Sequence, residues 1–208
     1  MIEPLFVKLF LIIELILFLF GMMVPIVALK KRGLNPHGTH EGASLLTRLT
    51  SVSTILWLFY LLLFIIIGDV VKNYSLITFL AFDFFLLLGM VISVLALVID
   101  LFGTKDLGLN FRIELPKEET ELVTSGLYAI VRNPIVLGVF LLLIGNFLMI
   151  PTLLNLFIII FNFITFDSKV RDEEKFLLTM FGEKYDVYRS KVGKYFPFCY
   201  RKHKNKLK

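Results

Sequence analysis

The chain has 208 residues, of which 57% are hydrophobic and 22 are phenylalanine, against roughly 45–50% apolar for a soluble domain. With 19% charged residues and a mean hydropathy of +0.82, it holds more apolar surface than a soluble monomer of this size can bury. That composition points to an integral membrane protein and excludes disordered, collagen-like and disulfide-rich chains. The formal charge is +5. Its surplus gathers in the terminal RKHKNKLK, a tail suited to anionic lipid headgroups, and no nucleic-acid motif accompanies it.

Five apolar segments predict an all-α integral membrane fold: a five-span helical bundle in a single domain (1–208), followed by a C-terminal cytosolic amphipathic helix. Residues 5–29 form the first span. It carries Glu14 near its middle and has no small-residue cleavage site, so it reads as a span rather than a signal peptide. The second covers 49–67 and the third 76–102, which completes the N-terminal part (1–102). The fourth (134–150) and fifth (152–166) are short against the usual ~17–25 residues, and Pro151 separates them. A hairpin fits better than one kinked helix, because about thirty residues exceed an ordinary span. With five spans, 20 of the 22 Lys and Arg fall on one side, leaving only Lys8 and Lys72 opposite. The positive-inside rule then places the C-terminus in the cytoplasm and the N-terminus outside.

Polar residues cluster in two stretches that this hairpin brings to the same membrane face. The first is ELVTSGLYAIVRNP, residues 121–134. Asn133 and Pro134 suit the N-cap and first position of a helix, whose N-terminus can meet an anion. Gly126 permits a tight turn before Tyr128. The second is RDEEKFLLTMFGEKYDVYRSKVGKYFP, residues 171–197. Phe176, Leu177, Met180 and Phe181 share a helical face, Gly182 interrupts it, and Tyr185, Tyr188 and Val192 continue it. The spacing predicts a helix that begins near Arg171 and lies on the membrane surface, with Asp172, Glu173 and Glu174 favoured in its first turn by the helix dipole.

Together the two stretches resemble the isoprenylcysteine carboxyl methyltransferase family. Its pattern reads LVTxGxYxxxRHPxYxG, two short spans, an acidic pair, FGxxYxxY and a final Pro. Here the corresponding text is LVTSGLYAIVRNPIVLG and EEKFLLTMFGEKYDVYRSKVGKYFP, over about the last ninety residues. The resemblance implies a helical membrane bundle that binds S-adenosylmethionine at its cytosolic face. It also implies a lipid substrate admitted sideways from the bilayer, and transfer of the methyl group to the carboxylate of a prenylated cysteine. By motif match, Glu121, Leu122, Val123 and Tyr128 would line the cofactor, within residues 103–208. Asn133, Pro134, Ile135 and Val136 occupy the HPxY stretch, and Glu173 matches the cofactor-contacting acid. Either Lys169 or Arg171 would hold the substrate carboxylate. Register favours Lys169, and the bidentate grip of a guanidinium favours Arg171. Three residues depart from the pattern: Asn133 replaces His, Val136 replaces Tyr and Lys169 replaces Arg.

These residue types suit methyl transfer. A carboxylate such as Glu173 can pair with the ammonium of the donor, and an aromatic ring such as Tyr128 can pack near its sulfonium. A carboxylate acceptor, with a pKa near ~4, is ionised at neutral pH and needs no general base. The protein's part is alignment and water exclusion. Phospholipid or thiol methylation keeps the cofactor and changes the acceptor. A steroid-reductase-like NADPH enzyme would need a basic cluster for the 2′-phosphate. A transporter or scaffold would line a path across the bilayer with polar groups, whereas here they concentrate on one face.

Elsewhere, Glu14, Asp83 and Asp100 are acids in or near spans, Asp100 being the one that could approach the site. Asn146, Asn155 and Asn162 read as interhelical hydrogen-bond donors, and Gly138 and Gly145, seven apart, as a seam for close helix packing. His37 and His40 belong to a solvated loop and His203 to the basic tail, so no metal site is expected. Cys199 is isolated and is not positioned for lipidation.

Overall fold

The computed structural model describes residues 4–33, 44–75, 82–111 and 121–197. Among them every regular element is helical. The helices are α1 (Pro4–Lys31), α2 (Leu45–Arg48), α3 (Thr50–Ser75), α4 (Asp83–Leu107), α5 (Pro134–Met149), α6 (Leu153–Phe181) and α7 (Glu183–Lys191). Short 3-10 turns lie at Gly108–Asn110 and Gly126–Ala129. Four segments are long and apolar enough to cross a membrane: Pro4–Lys31, Leu45–Gly68, Asp83–Leu107 and Leu153–Phe181. The fifth apolar helix, Pro134–Met149, has 16 residues, about 24 Å at 1.5 Å per residue. His37, His40, Cys199, His203 and the basic tail lie outside the described residues.

The apolar helices are one-sided in what they bury. On α1, Val7, Leu11, Glu14, Phe18, Pro25 and Leu29 face inward at helical spacing, while Leu5, Phe6, Ile13, Ile16 and Phe20 are exposed on the opposite side. An outer face of this kind in a membrane protein is lipid-facing. On α3 the inward stripe is Thr50, Ser53, Trp57, Tyr60, Leu61 and Phe64. That helix is kinked at Ile67, where φ is −123° and ψ is 26°, the residue at which the predicted second span ends.

Two seams hold the bundle together by different means. Between α4 and α5, which pack most extensively, small residues let the backbones touch. A Cβ on Gly145 would lie 2.7 Å from the Gly89 carbonyl, and one on Gly89 would lie 2.6 Å from the Gly145 carbonyl. A Cβ on Gly138 would collide with the Asp100 carboxylate. The expected glycine seam is therefore real, and Gly89 completes it from the facing helix. Between α3 and α6 the contact is polar: Ser53 Oγ meets Thr165 Oγ1 at 2.8 Å, Asn162 Nδ2 donates to the Ser53 carbonyl at 3.0 Å, and Tyr60 and Thr152 share a hydroxyl contact of 2.5 Å. Lipid offers helices no hydrophobic gain on association, so close packing and hydrogen bonds supply the attraction. Asn146 likewise reaches α1, donating to Glu14 Oε1 at 2.6 Å. Asn155 joins α6 to α5, donating to the Asn146 carbonyl at 3.4 Å and, in the turn between them, to the Ile150 carbonyl at 2.9 Å.

One expectation fails in the tail. Arg171 to Glu174 do not start a surface helix, because α6 runs unbroken from Leu153 to Phe181. No Gly or Pro occurs between those residues, so nothing ends the helix at the boundary between its apolar and charged parts. Thr152 caps its start by accepting from the Asn155 amide. Gly182, at φ 52°, ends it and opens α7, which is the break the glycine predicts. At 29 residues α6 extends about 43 Å, well beyond a ~30 Å hydrocarbon core.

Candidate functional site

A cavity of about 490 Å³ opens where α1, α2, α3 and α6 converge with the 121–136 segment and α7. That is within the ~300–1,000 Å³ typical of small-molecule sites. Its wall carries polar residues, Arg132, Asn133, Lys169, Asp172, Glu173 and Tyr188, and apolar ones, among them Phe18, Met22, Ile55, Leu58, Val139 and Phe166.

The three successive acids of α6 point in three directions, as steps of about 100° per residue require. Asp172, buried at 7% exposure, turns to α2. It accepts from the Ser44 amide at 2.8 Å and from Thr47 Oγ1 at 2.6 Å. Glu174 turns to Arg132, which donates to it from Nε at 3.0 Å and from Nη2 at 2.8 Å. Glu173 also lines the cavity, and among the described residues its ion-pair contact is Lys169 Nζ at 3.7 Å. At that separation, long for an ion pair, both groups can still engage a charged ligand.

Arg132 joins loop, helix and tail. Besides Glu174, its Nη1 donates to the carbonyls of Arg189 at 2.9 Å and Val192 at 2.6 Å. Its own amide donates to the Gly193 carbonyl at 2.9 Å. These bonds fold α7 back over the cavity, and the Tyr188 hydroxyl then donates to the Tyr128 carbonyl at 2.6 Å. Burial raises the pKa of Tyr188 to about 12. It raises that of Tyr128 further, with the Glu173 charge adding to the effect. Both phenols are therefore neutral donors at any physiological pH.

Of the residues singled out from the sequence, Glu121, Leu122, Val123, Tyr128, Asn133, Ile135, Val136, Lys169 and Glu173 all line this one cavity. Pro134 is not on its wall. It is buried at the first position of α5, against Gly103 of α4. Arg171 also lies off the wall, pairing with Asp167 at 3.1 Å with 56% of its side chain exposed, whereas Lys169 is 20% exposed. Asn133 occupies the N-cap position and its carbonyl accepts from the Leu137 amide, but its side chain makes no cap. Instead Nδ2 reaches the Lys194 carbonyl at 3.4 Å. Asp100 is not on the wall either, although both of its oxygens are buried.

Arg132, Asp172 and the α2–α3 hydroxyls of Thr47, Ser51 and Thr54 were not picked out as site residues from the sequence. Arg132 stands inside the RNP stretch, so the motif itself contained that signal. The hydroxyls sit at i, i+4, i+7 on one helical stripe, which the strong hydropathy of the span obscures.

Comparisons with known proteins match part of the chain. The sequence model of the phospholipid methyltransferase family matches residues 84–184. Over 77 residues the chain is 39% identical to the protein-S-isoprenylcysteine O-methyltransferase of Schizosaccharomyces pombe, a match covering 34% of this chain and 30% of that protein. Over 85 residues it is 40% identical to the protein-S-isoprenylcysteine O-methyltransferase of Saccharomyces cerevisiae, covering 39% of this chain and 36% of that one. The matched part thus spans only about a third of the length of these curated relatives. Residues 84–184, which supply much of the charged part of the cavity wall, thus match phospholipid methyltransferases, and part of the chain is similar to two protein-S-isoprenylcysteine O-methyltransferases.

Proposed function

We propose that the protein transfers a methyl group from S-adenosylmethionine to a lipophilic acceptor, in the leading form the carboxylate of an isoprenylcysteine. The observation that carries this reading is a cavity whose wall combines charged groups with a large apolar surface, joined to two relatives named for that reaction. A reductase reading has less support. The wall carries Lys169 and Arg132 as its cations, and Arg132 is committed to Glu174 and two carbonyls.

The residues present fit the cofactor. Glu173 is an acid facing a largely enclosed space and would pair with the donor's ammonium. Tyr128, Leu122 and Val123 would pack its rings, with Asn133, Ile135 and Val136 closing the wall. When bound, S-adenosylmethionine supplies an electrophilic methyl group. Lys169, rather than Arg171, would hold the acceptor carboxylate, because it lies on the wall while Arg171 is paired outside. A lysine is a single point charge, so it tolerates more acceptor orientations than a bidentate arginine. The apolar surface formed by α1 and α3 would take the prenyl chain and keep water from the reacting atoms.

In the bilayer, we read all five apolar helices as spans, with the cavity mouth and C-terminus cytosolic and the N-terminus outside. The basic tail at 201–208 would rest on anionic headgroups.

The test is binding followed by turnover. Purified protein is titrated with S-adenosylmethionine and with NADPH by calorimetry, beside Glu173→Ala. It is then given methyl-labelled cofactor with a farnesylcysteine analogue or with phosphatidylethanolamine vesicles. Saturable binding of the first cofactor, weakened by the substitution, and base-labile label on the farnesylcysteine are the expected results. NADPH binding alone would overturn the assignment, and label on the phospholipid alone would replace the acceptor.

A further inference from the structure

The segment that carries the cofactor wall, residues 121–133, has little regular structure of its own; its one element is the turn at Gly126–Ala129. What orders it comes from the end of α4. Asp106 Oδ2, in the last turn of that helix, accepts from the Leu127 amide at 2.8 Å. Its carboxylate packs so closely on Gly126, at φ 59°, that a Cβ there would collide with it. Asn110, in the turn after α4, accepts from the Glu121 amide through Oδ1 at 2.9 Å. Three residues before Asp106, Gly103 meets Ile135, where a Cβ would stand 3.1 Å from Cγ1. One helix end therefore holds the segment at its beginning, at its turn and at the start of α5.

We propose that Asp106, with Asn110, is a positioning residue for the cofactor wall: it fixes the turn that sets Tyr128 into the cavity. This rests on the cofactor reading above. Tyr128 is only 9% exposed, and its backbone is held from both sides. Asp106 takes the amide of the preceding residue, and Tyr188 of α7 donates to the Tyr128 carbonyl at 2.6 Å. Without the Asp106 acceptor, the Leu127 amide loses its partner, and the turn keeps the Tyr188 hydroxyl on the Tyr128 carbonyl as its side-chain bond among the described residues. Tyr128 would then sample positions off the wall, and binding would carry the entropic cost of ordering it. The carboxylate acts as an acceptor, so an amide of the same shape should serve nearly as well.

The experiment uses full-length protein in nanodiscs, with Asp106→Ala, Asp106→Asn and Asn110→Ala. Two quantities are read: S-adenosylmethionine affinity by calorimetry, and hydrogen exchange of peptides covering residues 121–131 without ligand. Asp106→Ala should weaken affinity roughly tenfold and speed exchange at Leu127 and Tyr128 by a similar factor. Asp106→Asn should stay within about threefold on both, since the side-chain oxygen is kept, and Asn110→Ala should lose about threefold. Unchanged exchange in Asp106→Ala, or an Asn variant as impaired as the Ala variant, overturns the proposal. Should the unaltered protein bind no S-adenosylmethionine, the cofactor reading falls, and the exchange measurement still decides whether Asp106 holds the turn. Should Asp106→Ala not fold, Asn110→Ala decides by the same two readouts.

Discussion

From α4 onward the cavity wall supplies every charged group among the described residues, Glu121, Arg132, Lys169, Asp172 and Glu173, beside Tyr128, Tyr188 and apolar side chains such as Val139 and Phe166. Before α4 it is apolar or hydroxylic, with Phe18, Met22, Thr47, Ser51, Thr54 and Leu58. The family match covers residues 84–184 and leaves the first wall's partners unmatched. Reactions need particular charges at fixed spacings, whereas an alkyl chain needs only volume and absence of water. The half that would meet the cofactor is thus constrained to a motif, and the half that would meet the acceptor's chain is constrained to little more than hydropathy. Asp172 is where the two halves are fastened, since it stands on α6 and holds Ser44 and Thr47 at the start of the α2–α3 arm.

The substitution expected to break this division most severely is Arg132→Leu. It removes four side-chain hydrogen bonds and leaves Glu174, with its side chain 21% exposed, facing no cation. Losing one partner of a partly buried pair costs about 3 kcal/mol. We expect α7 to detach, S-adenosylmethionine affinity to fall more than about a hundredfold, and protease sensitivity after Gly182 to rise. Intact α7 protection in this variant would show that the tail docks by other means.

Glu173→Ala comes next. Because Asp172 and Glu174 are already paired elsewhere, no neighbouring acid can take its place. Removing one charge-assisted contact is worth about 2 kcal/mol, or roughly thirtyfold in cofactor affinity. The affinity for a farnesylcysteine analogue, measured without cofactor, should change little. Equal losses for both ligands would mean that the cavity does not hold two separate subsites.

A smaller and more selective effect is expected from Leu58→Trp, on the α3 wall. The larger ring reduces the apolar space. The kcat/KM for a farnesyl acceptor should fall about fivefold, or ~1 kcal/mol, while a geranyl acceptor is less affected and cofactor affinity stays unchanged. A change in cofactor affinity would place the chain-binding wall elsewhere.

The same division governs what could be read from the sequence. The apolar runs announced the helices, and Gly138, Gly145, Asn146 and Asn162 announced their seams, because few uses exist for such residues inside a membrane. That Glu121, Tyr128, Asn133 and Glu173 share one cavity wall was legible because they belong to one spaced pattern. Three things were not legible. The unbroken α6 hid behind a change from apolar to charged residues, which alters the solvent around a helix and not its backbone. The Asn133 side chain follows the Lys194 carbonyl, a partner 61 residues away. Thr47, Ser51 and Thr54 reach the cavity only because Asp172 draws α2 against α6, a contact between residues 125 apart in sequence for Thr47.

The smallest expected effect tests the seam that joins the two halves. Asn162 on α6 donates to the Ser53 carbonyl on α3 at 3.0 Å and to its own helix at Ile158, at 2.9 Å. Its Oδ1 is buried with no partner. Replacing it with Leu removes one interhelical hydrogen bond, and intramembrane bonds of this kind average about 0.6 kcal/mol. It also removes an unpaired polar oxygen, whose burial is unfavourable, and keeps a side chain of similar size. The two terms oppose each other, so Asn162→Leu should shift the unfolding free energy in micelles by no more than about 0.6 kcal/mol. Ser53 and Thr165 still hold the seam beside it at 2.8 Å, so both ligand affinities should be kept. A loss of several kcal/mol instead would make Asn162 the principal tie between the halves and shift the weight of the bundle from its glycine seam to its polar one.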